Sequence, residues 1–150
     1  MKLSLNHFSV RTLELEATRA FYEDLLGLKQ GPRPAFDFPG YWLYQGPLDD
    51  YANAVVHLLG IDPQDASGLD DYLGGREQAS LQGSGAVDHI AFFAEGLKEM
   101  LARLSRAGVE PRQRLVPGVG LFQLFLDDPN GIMVELNYSL AEKQALDARA

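Results

Sequence analysis

The chain repeats itself, and that repeat restricts its possible folds more than any single motif does. A strand pattern holding a histidine (His7, then His89), a helix pattern ended by a glycine (Gly27, then Gly108) and three further strand patterns occur twice in the same order. His7 precedes Gly27 by 20 positions and His89 precedes Gly108 by 19. Gly27 precedes His57 by 30 positions and Gly108 precedes Glu135 by 27. Each half reads β-α-β-β-β, and a tandem duplication of one module is the expected architecture.

The periodicity behind this reading is local. In the first half, alternation predicts a strand over 3–10, with Leu3, Leu5, His7 and Ser9 on one face and Phe8 and Val10 on the other. Ala17, Phe21 and Leu25 recur one turn apart and predict a helix over 16–26 with Gly27 at its C′ position. Strands are expected over 29–33, 41–44 and 54–59. Residues 60–85, rich in Gly, Asp, Ser and Gln, read as a long connection of the kind that is usually functional. In the second half a strand is expected over 86–94, with Val87, His89, Ala91 and Phe93 on one face. Leu97, Met100, Leu101 and Leu104 then form an amphipathic stripe closed by Gly108. Strands over 110–116, 121–126 and 132–137 follow, with Asp128-Pro129-Asn130-Gly131 as a turn between the last two. Ser139 followed by Glu142 is a capping box that opens a C-terminal helix over 139–149. The whole is one domain over 1–150, with module one at 3–59, a linker at 60–85 and module two at 86–138.

Composition narrows the partners. Lys+Arg number 13 against 21 Asp+Glu, so the net charge of −8 disfavours phosphate backbones and anionic lipid. There are 0 cysteines, which excludes disulfides, thiolate metal sites and a cysteine nucleophile. No signal-peptide pattern opens the sequence and no apolar run is long enough to span a bilayer, so the expected compartment is the cytoplasm.

The chain's 3 histidines, His7, His57 and His89, all fall at strand positions related by the repeat, and Glu135 occupies the fourth. Each has apolar neighbours: Phe8 beside His7, Val56 and Leu58 around His57, Ile90 beside His89, Val134 and Leu136 around Glu135. One such histidine has an ordinary explanation as a hydrogen-bonded core residue, and one such glutamate as the polar face of a half-exposed sheet. Four at duplicated positions point instead to a divalent cation, which accepts the lone pairs of neutral imidazoles and relieves the desolvation of the carboxylate.

The same residues lie in stretches that resemble a known family. Asn6-His7-Phe8-Ser9-Val10, Ala20-Phe21-Tyr22-Glu23-Asp24-Leu25-Leu26-Gly27-Leu28, Val87-Asp88-His89-Ile90-Ala91-Phe92 and Asp128-Pro129-Asn130-Gly131-Ile132-Met133-Val134-Glu135-Leu136 are similar to the vicinal oxygen chelate superfamily. That superfamily includes glyoxalase I, bleomycin-resistance proteins, methylmalonyl-CoA epimerase, fosfomycin-resistance enzymes and type I extradiol dioxygenases. The resemblance implies an α+β fold in which two tandem βαβββ modules form a half-open mixed β-barrel with helices outside. It implies one divalent metal ion (Ni, Co, Fe, Mn or Zn) held by residues matching His7, His57, His89 and Glu135. Modules pair within one chain or across two in the family, and a homodimer is expected.

The resemblance leaves the reaction to His57. With His57 on the metal, four protein donors leave two positions for adjacent oxygens of a small substrate. That suits a glyoxalase-like lyase or isomerase with Glu135 as general base. With His57 off the metal, His7, His89 and Glu135 form the facial triad of an Fe(II) ring-cleaving dioxygenase and His57 is its acid/base. Phe125 stands where the dioxygenase signature has Tyr, and Leu115-Val116-Pro117-Gly118 holds no histidine where that signature has one. The lyase or isomerase reading is therefore preferred, with His57 and Glu135 as catalytic residues. A metal-free small-molecule-binding protein is the remaining alternative. Trp42, Tyr44 and Phe122 are candidate pocket walls, Tyr51 and Tyr72 a candidate lid, and Arg33 and Arg114 either a clamp for a substrate carboxylate or, as preferred, solvated surface charges.

Overall fold

Apolar alternation in the first half resolves into a four-stranded mixed sheet with a helix packed on one face. The computed structural model describes residues 7–73, 83, 89–116 and 120–148, and the chain divides into two units, 1–81 and 82–150. The first unit contains β1 (Phe8–Thr12), α1 (Leu15–Ala20), β2 (Lys29–Gly31), β3 (Gly40–Tyr44), β4 (Ala54–Gly60) and α2 (Ser67–Leu73). Its strand order is β1-β4-β3-β2. β1 and β4 run parallel, which requires the crossover that α1 supplies, and the other pairs are antiparallel.

The strand expected over 3–10 is seen from Phe8 and continues to Thr12; residues 3–6 lie outside the described residues. The helix expected over 16–26 is α-helical only to Ala20 and widens to a π turn over Phe21–Leu25. A wider turn brings successive side chains closer in angle, so Phe21 and Tyr22 are both buried, their rings edge-on at 5.0 Å. Gly27 ends the helix at φ 88°, with its N–H donating to the Glu23 carbonyl at 3.1 Å. Phe8, Val10, Val56 and Leu58 share the helix-facing side of the sheet, with the Phe8 ring 6.0 Å from that of Tyr22. His57 therefore points to the opposite face.

The expected connection over 60–85 is structured in part. Ser67–Leu73 form α2, whose Leu69 packs into a cluster with Phe38, Leu59, Phe36 and Ile61. Gly68 permits this approach, since a Cβ there would lie 1.9 Å from the Asp37 carbonyl oxygen. A helix among Gly and Asp is poorly visible to periodicity because Ser67-Gly68-Leu69-Asp70-Asp71 carries a single apolar side chain over its first five positions.

The second unit contains β5 (Ile90–Phe93), α3 (Leu97–Arg106), β6 (Arg112–Val116), β7 (Leu121–Asp127), β8 (Met133–Ser139) and α4 (Leu140–Asp147). Its order is β5-β8-β7-β6, again with the first pair parallel and the others antiparallel. The two halves thus share one βαβββ topology, and the fold is α+β with two open four-stranded sheets. Of the strand expected over 86–94, positions 86–88 lie outside the described residues. The Leu97 and Leu104 side chains are buried as the stripe requires, and Gly108 closes α3 at φ 68°. The turn before β8 is held by Asp128, whose Oδ1 accepts from the Asn130 and Ile132 N–H groups at 2.8 and 2.9 Å.

The capping box forms by half. Ser139 Oγ accepts from the Glu142 N–H at 3.2 Å, but the Glu142 carboxylate does not return the bond. Its Oε2 instead accepts from the N–H groups of Gly96 and Leu97, both at 2.9 Å, and so caps α3. Gly96 has no side chain to cap that helix, and Glu142 replaces it from a distant part of the chain. Among the described residues no helix is long and apolar enough to cross a membrane.

Candidate functional site

Strand register places the four predicted residues in equivalent positions. His57 sits opposite Ser9 and Glu135 sits opposite Ala91. His7 lies two residues before Ser9 and His89 two residues before Ala91, so each module sets a histidine ahead of its first strand beside a polar residue of its last. The structure brings the four together as two pairs, His7 with His57 and His89 with Glu135. In neither unit do the described residues gather three or more His, Cys, Asp or Glu side chains into a possible metal set.

In module one the pair is stacked. The His7 and His57 rings lie 3.8 Å apart at 18°, and Trp42, opposite His57 on β3, stacks on His57 at 4.0 Å and 6°. Tyr51 meets Trp42 edge-on at 5.7 Å. His57 is only 7% exposed, and its Nε2 is buried without a hydrogen-bond partner among the described residues. Burial, followed by the neighbouring His7, lowers the His57 pKa from 6.5 to about 4, while a backbone hydrogen bond at Ala54 opposes the shift. His57 is consequently neutral at pH 7 with a lone pair unused. Near-parallel ring planes do not share a point one bond length from each ring, so the two histidines can donate to a common ion only after one ring turns. His7, the exposed member, is the one with room to do so.

Module two holds its pair side by side. His89 Nε2 lies 3.4 Å from Glu135 Oε2, near the ~3 Å edge between cis ligands at bonds of ~2.1 Å. Glu135 is 7% exposed, and its Oε1 accepts from Gln123 Nε2 at 3.0 Å and Asn137 Nδ2 at 2.6 Å. Gln123 Nε2 also donates to Asn137 Oδ1 at 2.9 Å. Two donors on one oxygen offset the desolvation of the buried carboxylate. By donor chemistry this pair suits a divalent cation: one carboxylate oxygen stands beside one ring nitrogen at ligand spacing.

The sequence reading missed Gln123 and Asn137. A signal existed: Asn137 is two residues from Glu135, hence on the same face of β8, and Gln123 is the one polar residue amid Leu121-Phe122 and Leu124-Phe125-Leu126. Pairing Gln123 with Asn137 needed the β7–β8 register.

The remaining candidates divide. Trp42 belongs to the site through its stack on His57. Tyr44 is core, donating its hydroxyl to the Pro32 carbonyl at 2.6 Å, and Phe122 is likewise buried. Arg33 is not the solvated surface charge expected from the sequence: its guanidinium lies 4.9 Å from both the Phe36 and Phe38 ring centres and donates to the Phe38 carbonyl, and burial lowers its pKa. Arg114 is exposed on β6 opposite Gln123. Tyr51 and Tyr72 are exposed, with Tyr51 on Trp42 and Tyr72 against Phe36 and Phe38. Phe125 meets His89 edge-on at 6.4 Å and presents hydrocarbon where a tyrosine would present a hydroxyl.

Duplicated βαβββ modules, each bearing a paired set of nitrogen or oxygen donors, define a class of repeated-module α+β proteins. The sequence model of the Glyoxalase/Bleomycin resistance protein/Dioxygenase superfamily matches residues 4–136, and the chain belongs to that superfamily. Among curated proteins, "Glyoxylase I 4" of Arabidopsis thaliana is 28% identical over 140 residues, covering 89% of this chain and 69% of that protein. The lactoylglutathione lyase structure from Agrobacterium tumefaciens has a TM-score of 0.60 at 23% identity, covering 94% of this chain and 97% of its own. The trypanothione-dependent glyoxalase I of Leishmania major gives 0.58 at 20% identity, covering 99% and 95%. A genomically encoded fosfomycin resistance protein of Listeria monocytogenes gives 0.60 at 15% identity, covering 96% and 99%. These structural likenesses carry the fold.

Proposed function

We propose that this chain is a divalent-metal-dependent lyase or isomerase of the glyoxalase kind, acting on a small substrate through adjacent oxygens. In this reading His7, His57, His89 and Glu135 hold the ion, and Glu135 and His57 are the catalytic groups. The observation that carries it is the His89–Glu135 pair, a nitrogen and an oxygen 3.4 Å apart with the second carboxylate oxygen already occupied. The Arabidopsis relative, named as a glyoxylase, supports the same class of chemistry.

When bound, the ion polarises the chelated oxygens and lowers the cost of negative charge on them. Glu135 would be a ligand and, on partial release of Oε2, the base that takes the proton from the carbon beside the substrate carbonyl and returns it to the neighbouring carbon, a step that needs no redox partner. His57, neutral through the physiological range, serves as a lone-pair donor rather than as an acid. Phe125, standing where the ring-cleaving signature has Tyr, favours the isomerase over the dioxygenase. Trp42 closes one face of His57 and keeps water from it.

The test combines metal content with activity. Purified protein is expected to retain about one divalent ion per chain, and Glu135→Gln to lose both that ion and at least ~10²-fold in turnover of a hemithioacetal or an acyl-CoA epimer. Oxygen uptake with a catechol after anaerobic Fe(II) loading would overturn the lyase reading. Tight small-molecule binding by metal-free protein, with Glu135→Gln unaffected, would turn it into a binding protein. A homodimer is part of the proposal, and light scattering of the purified chain checks it; a monomeric mass refutes that part.

A further inference from the structure

The two halves differ where Glu135 stands. In module one the residue matching Glu135 is His57, and the row of strand partners beyond it is Leu59 with Gly40. In module two the corresponding row is Asn137 with Gln123. A buried neutral imidazole needs no donors around it, whereas a buried carboxylate does, so the amides occur only in the half that has a carboxylate. Both amides are about nine-tenths buried, and their orientation is set by the network itself. Turning Gln123 over would put its oxygen against Glu135 Oε1 and Asn137 Oδ1, both acceptors.

We propose that Gln123 and Asn137 are positioning residues: by occupying Glu135 Oε1 they leave Oε2, on the His89 side, as the single oxygen that Glu135 offers to an ion. The carboxylate is thereby a one-oxygen donor of fixed direction. Three hydrogen bonds of 3.0, 2.9 and 2.6 Å tie three side chains on two adjacent strands, so the carboxylate cannot rotate to offer both oxygens without breaking the bond to an amide. The assignment of Oε2 to a metal rests on the function proposed above; the restraint on the carboxylate does not.

Two measurements separate these parts. Gln123→Met and Asn137→Leu keep approximate volume and remove the donors, and Gln113→Met, on the exposed β6, is the control. Calorimetric titration of metal-stripped protein with Ni(II) is expected to show about 10- to 100-fold weaker binding in each variant and no change in the control. Crystal structures of the stripped variants are expected to show Glu135 Oε2 displaced beyond 4 Å from His89 Nε2. If Glu135 stays in place in both variants, the positioning role is overturned, whatever the affinities. If it moves but affinity does not change, the single-oxygen donation to metal is overturned and the amides serve stability alone. If wild-type protein takes up no divalent ion while Glu135 moves in the variants, the metal reading fails and the restraint stands. A variant that does not fold leaves the other single variant to decide, since each removes one donor to the same oxygen.

Discussion

His57 is where burial changes chemistry most directly. With its pKa lowered to about 4 against an ordinary 6.5, the folded protein binds fewer protons there than the unfolded chain does between those values. Stability from this residue is therefore present above pH 6.5 and lost as pH falls toward 4. Metal-free wild-type protein is expected to lose about 2 kcal/mol more than His57→Phe between pH 7.5 and 4.5, read from urea midpoints. Parallel pH profiles for the two proteins would show that the imidazole is reached by solvent protons in the folded state. Its position was legible in the sequence from the repeat alone. Its sandwich between Trp42 and His7 was not, because stacking across three strands depends on register and on ring orientation.

At the scale of elements, two contacts join segments that local periodicity treats as independent. Glu142 belongs to α4 yet caps α3, so Glu142→Ala is expected to cost about 1 kcal/mol and to reduce hydrogen-exchange protection at the first turn of α3 more than in α4. Equal loss in both helices would place the effect in α4 itself. Gly68 lets α2 approach the Asp37 backbone, and Gly68→Ala introduces a clash with a carbonyl that no rotamer relieves. A cost of about 2–3 kcal/mol in denaturant unfolding is expected, with β-sheet circular dichroism retained. The glycines that end helices, Gly27 and Gly108, could be read in advance because a C′ position has a chemical signature of its own. The cap from Glu142, the close approach at Gly68 and the Gln123–Asn137 pair could not. Each is a long-range contact whose two partners look ordinary in isolation.

For the whole molecule, the duplication explains why so much of the fold could be read and so little of the reaction. A βαβββ module written twice sets strand order, crossover and the four equivalent positions, and both sheets follow that order. The copies then diverge in side chains: a stacked imidazole with an aromatic neighbour in one, a carboxylate with two amides in the other. If the ion proposed above draws donors from both copies, loss of either pair must weaken it. Binding to the folded state alone stabilises by RT ln(1 + [L]/Kd), about 2.7 kcal/mol at a ligand concentration 100-fold above Kd. Thermal melts with and without Ni(II) should therefore show a rise for wild-type protein that a chelator removes. That rise should shrink in His7→Ala, in His57→Ala and in His89→Ala, and disappear in Glu135→Gln. A full metal-induced rise in His7→Ala and His57→Ala, with none in His89→Ala, would confine the donors to module two. The first module would then act on the substrate and not on the ion.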